Sequence, residues 1–308
     1  MAFTGKESLQ TTLSHYAARI DMNQFLFVVV VYKMNVADAP TLRSLFERSD
    51  LLRQHAVRVL IIDNTPGAGG SWLALDNEVE YVALGKNGGL ASAYQIAFRK
   101  AKANGCDYLV LLDQDSEVTD ELIVTLGSIR NLRAEGVGIW CPRVISCGKY
   151  VSPYSVGVFT WPTYNPPSPR SGRVYGINSF SVVNVSFLEN IGGFNEFYWL
   201  DCLDMWLYEA AHGAGWEVRC LDVTMQHDLS LVSGRVSLDR MKNIAFYEGC
   251  FASEYWSAAR ILGTVVRLCA RGVKRLDGLG GVRNYGAYLH EIFKGIRVGL
   301  SRRATHGS

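Results

Sequence analysis

The chain has 308 residues, 48% hydrophobic and 19% charged, a composition that gives one large globular domain or two small ones and excludes a low-complexity or fibrous protein. The net charge of +2 hides an asymmetry, because residues 256–308 carry ten Lys/Arg against two Asp/Glu while the other 255 residues carry 21 against 27. The longest apolar run near the N-terminus, Phe25–Val31, is too short to span a bilayer and follows a polar segment, so it reads as neither a transmembrane helix nor a signal core. Seven scattered cysteines without a C-x-x-C pair fit a reducing cytoplasm and exclude a zinc ribbon or a disulfide framework.

Residues 1–24 form a polar lead-in. Phe25–Tyr32 is a continuous apolar, β-branched run and predicts a buried parallel strand. Pro40–Leu52 predicts a helix, Val57–Ile62 a second strand ending in Asp63-Asn64, and Gly67-Ala68-Gly69-Gly70 a loop. Val79–Ala83 reads as a short third strand. The loop Gly85-Lys86-Asn87-Gly88-Gly89 leads into a helix over Leu90–Ala103, and Tyr108–Leu112 is the fourth strand. This alternation implies an α/β fold with a mostly parallel sheet and helices on its faces, whose ligands sit beyond the carboxyl ends of the strands. Asp63, Asn87, Asp113 and Asp115 all fall just after strand ends. Val151–Arg173 is rich in Pro, Ser and aromatics and reads as loop with short strands. Val174–Val185 predicts one or two strands, Leu203–Ala214 a helix and Trp216–Leu221 a further strand, giving a smaller mixed subregion packed on the parallel half. The expected division is a lead-in over 1–24, a first half over 25–116, a second half over 117–240 and a basic helical tail over 241–308.

The most informative stretch is Tyr108–Ser116, where a buried apolar run ends in Asp113-Gln114-Asp115. In an extended strand the side chains at i and i+2 share one side, roughly 7 Å apart, so the two carboxylates make a cradle for a hard divalent cation of the magnesium or manganese type and the diphosphate it carries. Gln114 points to the other face, toward packing or a backbone contact. Asp-x-Asp alone is a weak motif. Other signatures are missing. Gly67-Ala68-Gly69-Gly70-Ser71-Trp72 fails as a dinucleotide fingerprint, and no phosphate loop, H-E-x-x-H or nucleophile elbow is present.

Taken together, Asp63-Asn64, the Asn87-x-Gly89-x-Ala91-x-Ala93 helix start, Leu111-Leu112-Asp113-Gln114-Asp115-Ser116, Asn190-Ile191-Gly192-Gly193-Phe194-Asn195-Glu196, Trp199-Leu200-Asp201-Cys202-Leu203-Asp204 with Gly215-Trp216, and Met225-Gln226-His227-Asp228-Leu229 resemble the inverting family 2 glycosyltransferases of the GT-A fold. The Asp-Gln-Asp-Ser form is most like bacterial rhamnosyltransferases. The resemblance covers about residues 25–250. It implies a sugar, rhamnose from dTDP-rhamnose first, passing from a nucleotide diphospho-sugar to a hydroxyl of a growing, lipid-linked surface glycan, with a divalent cation (Mg2+ or Mn2+). It implies donor contacts at Tyr32, Asp63, Lys86, Asn87, Gly89 and Asp113, and metal contacts chiefly at Asp115, with Asp113 and His227. Asp204 is implied as the general base, with Asp201 as runner-up. Each assignment has a plainer alternative: Asp204 as a helix cap, Asp63 as a turn residue, Lys86 as a solvated lysine and His227 as a structural histidine. Phe194, Phe197, Tyr198 and Trp199 offer either an acceptor platform or core packing. Two positions depart from the family pattern. Trp206 stands where an acidic residue is usual, and Phe180 replaces a small residue and implies a reshaped acceptor pocket.

In the tail, Arg260, Arg267, Arg271 and Lys274 fall within about 60° of one another on a helix, with Ile261, Leu262, Val265, Val266, Leu268, Cys269, Val273 and Leu276 opposite. Such a helix either lies on an anionic membrane surface through residues 256–276 or docks its apolar side on the domain with its arginines in solvent. Nucleic acid is not an expected partner, because no binding module accompanies the charge. The expected location is cytoplasmic, either free or peripheral on the inner face of the cytoplasmic membrane. The rival readings are a sugar nucleotidyltransferase, which would need a Gly-rich basic loop where Tyr32-Lys33-Met34-Asn35 stands, and an inactive glycan-binding scaffold.

Overall fold

The computed structural model describes residues 25–69, 78–132, 135–157, 162–163, 173–227, 237–275 and 282–306. The lead-in 1–24, Gly70, most of the loop between 158 and 172, Asp228, Leu229 and Leu276 lie outside these residues. The four expected strands are present as β1 (Phe25–Val31), β2 (Val57–Asp63), β3 (Val79–Ala83) and β4 (Tyr108–Asp113). They pair in parallel, with Val31 opposite Asp63 and Val30 opposite Asp113, so the polar ends of β2 and β4 flank the end of β1. Every residue of β1 is buried, as its unbroken β-branched run requires of a strand covered on both faces.

The single helix expected over 40–52 is two, α1 (Pro40–Phe46) and α2 (Ser49–Gln54). Arg48 takes a non-helical backbone conformation between them and donates to the Ser44 carbonyl at 2.9 Å, which closes α1. The helix α3 (Gly89–Ala103) follows β3.

After β4 come α4 (Asp120–Leu132), β5 (Val137–Ser146), β6 (Lys149–Ser152), β7 (Tyr154–Val156), β8 (Pro162–Thr163), β9 (Val174–Tyr175), β10 (Ser181–Asn184), α5 (Val185–Asn190), α6 (Leu203–Gly213) and β11 (Glu217–Gln226). The strands of the second half extend the first sheet, in the order β11-β5-β10-β4-β1-β2-β3 with β6 on β5. Only β7, β8 and β9 form a separate small sheet among the described residues. β10 runs antiparallel to both β4 and β5, while β11 runs parallel to β5. Pro142, which has no N–H to give, sits where β11 loses register with β5. One face of the sheet packs on α3, α5 and α6 through Tyr94, Phe187, Tyr198, Trp206 and Leu207, and the other on α1 and α4 through Leu42, Leu122, Trp140 and Phe180.

The chain ends in α7 (Leu238–Tyr255), α8 (Ala258–Lys274) and α9 (Val282–His306). Among the described residues no helix is long and apolar enough to cross a membrane. α7 and α9 cross in backbone contact, because a Cβ at Gly295 would overlap the Phe246 carbonyl and one at Gly299 the Cys250 carbonyl. Arg302 on α9 donates to Glu254 at 2.8 Å and covers the Phe197 ring, 3.8 Å from its centroid.

Candidate active site

A cavity of about 690 Å³ opens beyond the carboxyl ends of β1 and β4 and is closed on its far side by α6, α7 and α8. Its wall includes Tyr32, Asn87, Gly89, Asp113, Asp115, Asp201, Asp204 and His227 from the expected site residues. Asp63 and Lys86 do not line it.

The Asp113–Asp115 pair is built differently from the expected pleat. β4 ends at Asp113, and Gln114 and Asp115 lie in a turn, so strand alternation does not align the two carboxylates. Buried Thr41 at the start of α1 organises that turn. Its hydroxyl lies 2.6 Å from the Asp113 carbonyl and 2.7 Å from that of Ser116, and it accepts from the Ser116 N–H at 2.9 Å. Gln114 makes the backbone contact expected of it, accepting from the Tyr32 N–H at 2.7 Å. Ser179 donates to Asp113 Oδ2 at 2.6 Å. His227 is buried, with Nδ1 2.7 Å from the Ser116 hydroxyl. Its Nε2 lies 3.8 Å from Asp113 Oδ2, and its Nδ1 4.0 Å from Asp115 Oδ1. Asp113, rather than Asp115, is thus the carboxylate that faces the free edge of the imidazole. Among the described residues no three His, Cys, Asp or Glu side chains are gathered tightly enough to hold a metal ion by themselves.

Asp63 takes the turn role. Its Oδ1 accepts from the Thr65 N–H at 2.8 Å, and its Oδ2 accepts from the Tyr81 hydroxyl at 2.9 Å. Burial, and then the bond to Asp63, push the Tyr81 phenol up to about 12. Asn64, to which the sequence gave no site role of its own, lines the cavity instead and holds the next loop, accepting from Gly88 N–H at 3.3 Å and donating to the Gly89 carbonyl at 2.9 Å. Asn87 accepts from the Gly89 N–H at 3.1 Å. Gly89 has φ +76°, and a Cβ there would overlap Trp199, whose carbonyl accepts from Ala91 N–H at 3.1 Å. The loop before α3 therefore rests directly on the loop before α6.

Asp204 lies in the first turn of α6 and lines the cavity. It is not the helix cap. That position belongs to Cys202, at φ +60°, and Asp204 Oδ1 accepts from the Met205 N–H at 2.8 Å. Burial raises its carboxyl from the usual 3.8 to about 6, opposed by the Met205 bond and reinforced by the charges of Asp201 and Asp113. Burial also raises Asp201 to about 6, against the pull of Arg240, which donates to Asp201 Oδ2 at 2.6 Å. Asp201 is thereby tied to a cation, and Asp204 is the carboxylate presented to the cavity without an ion pair among the described contacts.

The aromatic run 194–199 is packing rather than platform: Phe194 and Tyr198 are buried in the core and Trp199 is pressed against Gly89. Phe180 does not reshape the pocket, because it is fully buried on the opposite sheet face against Phe27. Trp206 is also buried, so no second carboxylate follows Asp204 there.

The tail fits neither expected orientation as a whole: Arg267 and Arg271 turn inward while Lys274 stays exposed, and on the apolar side Leu268 is buried while Leu262, Val266 and Val273 are not. Arg267 and Arg271 grip Glu248 of α7 at 2.7–3.0 Å and line the cavity with Arg275. The exposed side is apolar, with Leu262 65%, Val266 57% and Val273 53% exposed. The reason is Glu248, a carboxylate at 14% side-chain exposure that needs cationic partners. Burial opposes its charge, but Arg267 and Arg271 hold it down at about 2.

The family model for glycosyl transferase family 2 matches residues 28–192, more than half of the chain. The chain is a family 2 glycosyltransferase. Its fold is GT-A, with a mostly parallel central sheet between helices and a helical C-terminal region. The matched stretch ends before Asp201, Asp204, His227 and the arginines of α8, so those parts of the transferase are described by the geometry above. No curated protein matches the chain. Similar solved structures include Staphylococcus aureus TarS, at 13% identity and TM-score 0.49, covering 90% of this chain and 55% of that one. S. aureus TarS 1–349 in complex with UDP has 13% identity and TM-score 0.48, over 92% and 91%. The mannosyltransferase PcManGT from Pyrobaculum calidifontis, in complex with GDP-Man and Mn2+, has 13% identity and TM-score 0.47, over 96% and 93%. The transferase spans about half the length of the first of these.

Proposed function

We propose that this glycosyltransferase moves a sugar, with inversion, from a nucleotide diphospho-sugar to a glycan hydroxyl, using Asp204 as general base. The carrying observation is a carboxylate in the wall of the cavity that the strand-end aspartates also line, raised to about 6 by burial. A base needs to be ionised at working pH yet basic enough to take a hydroxyl proton, and burial tunes it in that direction. Asp204 takes the proton as the acceptor oxygen forms its bond to the anomeric carbon. The diphosphate departs on the opposite side, toward Asp113 and the turn held by Thr41. A single base and a single displacement give inversion.

The donor nucleotide is read by Tyr32, Asn87 and the Gly88–Gly89 backbone that Asn64 fixes. Asp63 supports that wall through Thr65 and Tyr81, and Lys86 stands outside it. The donor set at the diphosphate end is two carboxylates and one imidazole, hard or borderline ligands that suit Mg2+ or Mn2+ when donor oxygens complete the shell. Asp113, Asp115 and His227 would hold the ion, with Ser116 fixing the imidazole. A bound cation there would offset the charge that develops on the leaving diphosphate.

The Asp113-Gln114-Asp115-Ser116 form supports dTDP-rhamnose as the donor and a lipid-linked surface glycan as the acceptor. Such an acceptor sets the enzyme on the inner face of the cytoplasmic membrane, meeting the bilayer through the apolar stripe Leu262, Val266 and Val273 rather than through arginines. A thermal-shift and hydrolysis screen of nucleotide sugars, with and without Mn2+, tests the reading. dTDP-rhamnose is expected to stabilise and turn over best, and product analysis to show the inverted anomer. Turnover unchanged in Asp204→Asn would refute the base assignment.

A further inference from the structure

Next to Asp113 the cavity wall is a short stretch of chain, Ile177, Asn178 and Ser179, just ahead of β10. Hydrogen bonds hold it at each step. The Ile177 N–H donates to the Ser152 hydroxyl at 3.1 Å, and the Ile177 carbonyl accepts from the Ser181 hydroxyl at 2.8 Å. The Asn178 carbonyl accepts from the Ser181 N–H at 2.8 Å, and Ser179 donates to Asp113 at 2.6 Å. Phe180, at φ +57°, donates its N–H to the Leu111 carbonyl at 2.8 Å. One group in this frame is left over. Asn178 is 8% exposed, yet its side-chain Oδ1 is buried with no hydrogen-bond partner among the described residues. A polar group cut off from water and left unpaired is destabilising, and folded proteins keep few of them. The chemistry above gives Asn178 no task.

Its position says what pairs with it. Consecutive Cα atoms are about 3.8 Å apart, so Asn178 stands one step from the serine that holds Asp113. Asp113 marks the diphosphate end of the donor, and the transferred sugar is joined directly to that diphosphate. A wall residue one step from the diphosphate anchor is within reach of the sugar. Sugar hydroxyls both donate and accept, and the amide offers a carbonyl and an NH2 group to match either. The two ends are nearly alike in shape and the terminal torsion of Asn is soft, so a half-turn exchanges them at the wall. Ile177 and Val151, which flanks the Ser152 that bonds Ile177, line the cavity as apolar residues. A single polar group set among apolar ones is how a pocket fixes the orientation of its ligand.

We propose that the Asn178 amide hydrogen-bonds a hydroxyl of the sugar being transferred and so selects the donor sugar. This rests on the transferase reading of the same cavity and adds the residue that reads the sugar. A donor that brings a hydroxyl to the amide pairs the buried group, and a donor without one leaves it unpaired, which is the arrangement that discriminates best between sugars. A bare nucleotide makes no such contact, so Asn178 acts on the choice of sugar and not on the base or the diphosphate.

The test is calorimetric titration of the full chain with Mn2+ against dTDP, UDP and GDP, and against dTDP-rhamnose, UDP-glucose, UDP-N-acetylglucosamine and GDP-mannose. It is repeated in Asn178→Leu, which keeps the branching of the side chain and removes both polar ends. The expected result is that affinity for the sugar nucleotide the parent chain prefers falls about fivefold, while affinity for its bare nucleotide is unchanged. Deoxy analogues of that sugar then find the hydroxyl. The analogue lacking it binds the parent chain about as weakly as the full sugar binds Asn178→Leu, and loses nothing further in the variant. Asn178→Ala carries the result if the bulkier Leu melts early. The proposal is overturned if the variants bind every sugar nucleotide like the parent chain, or if the bare nucleotide weakens in step with the sugar nucleotide, as a residue that only shapes the wall would require. It is also overturned if each deoxy analogue is disfavoured as much in the variant as in the parent chain. A parent chain that binds neither nucleotides nor sugar nucleotides is a separate result, which sinks the transferase reading and this proposal with it.

Discussion

Two neighbouring carboxylates, Asp204 and Asp201, both sit near 6, and the salt bridge to Arg240 offers a way to tell which one is the base. If either must be ionised, kcat/KM for donor turnover falls on the acid side with an inflection near pH 6. About nine-tenths of such a group is ionised at pH 7 and about one-tenth at pH 5, a roughly tenfold loss. A carboxyl at its usual value would lose almost nothing over that interval. Arg240→Met then separates the candidates by sign. Removing the guanidinium takes away the charge that pulls Asp201 down, so the Asp201 carboxyl rises and holds its proton to higher pH. A neutral Asp201 no longer raises Asp204, so the Asp204 carboxyl moves down. With Asp204 as base the acid limb shifts to lower pH in Arg240→Met; with Asp201 as base it shifts to higher pH. The assay is initial-rate donor turnover from pH 5 to pH 8 at constant ionic strength. A profile flat to pH 5, or an upward shift in the variant, would refute the assignment of Asp204.

Ser179→Ala removes the 2.6 Å bond to Asp113 and is expected to raise KM for the donor about tenfold with kcat little changed, since a bond to a charged group is worth about 1.5–3 kcal/mol; an unchanged KM would show that Asp113 needs no such support. Gly89→Ala adds a methyl group where the Trp199 carbonyl stands, at a positive φ, and should lower stability by about 2 kcal/mol or more in urea denaturation. Replacing Leu262 and Val266 by Glu together should abolish flotation on lipid vesicles without altering the melting temperature, whereas flotation unaffected by the change would remove the membrane contact.

The parallel half was legible because its signals are local. A run such as Phe25–Val31 states its own burial, and Asp113, which ends β4, falls in the cavity wall as its place after a strand suggested. What the sequence hid depends on partners distant in the chain. Thr41 looks like an ordinary first-turn residue, yet it organises a turn more than seventy positions later. Asn64 was overshadowed by Asp63 although it is the one in the wall. Strand β5 was missed because Gly138 and Pro142 interrupt its pattern, and the proline is tolerated only where β11 slips register. For α8 the periodicity gave two sides correctly but could not say which turns inward. That choice is made by Glu248, and Glu248 offers no local sign that it will be buried.

The glycine crossing of α7 and α9 limits how this enzyme could change its preferences. With Phe246 and Cys250 carbonyls lying directly against Gly295 and Gly299, the two helices have no room to slide or re-angle past each other. Descendants of this chain would therefore explore new acceptors by exchanging the α7 side chains that line the cavity, Arg240, Ile244 and Glu248, and not by re-angling the helix that carries them.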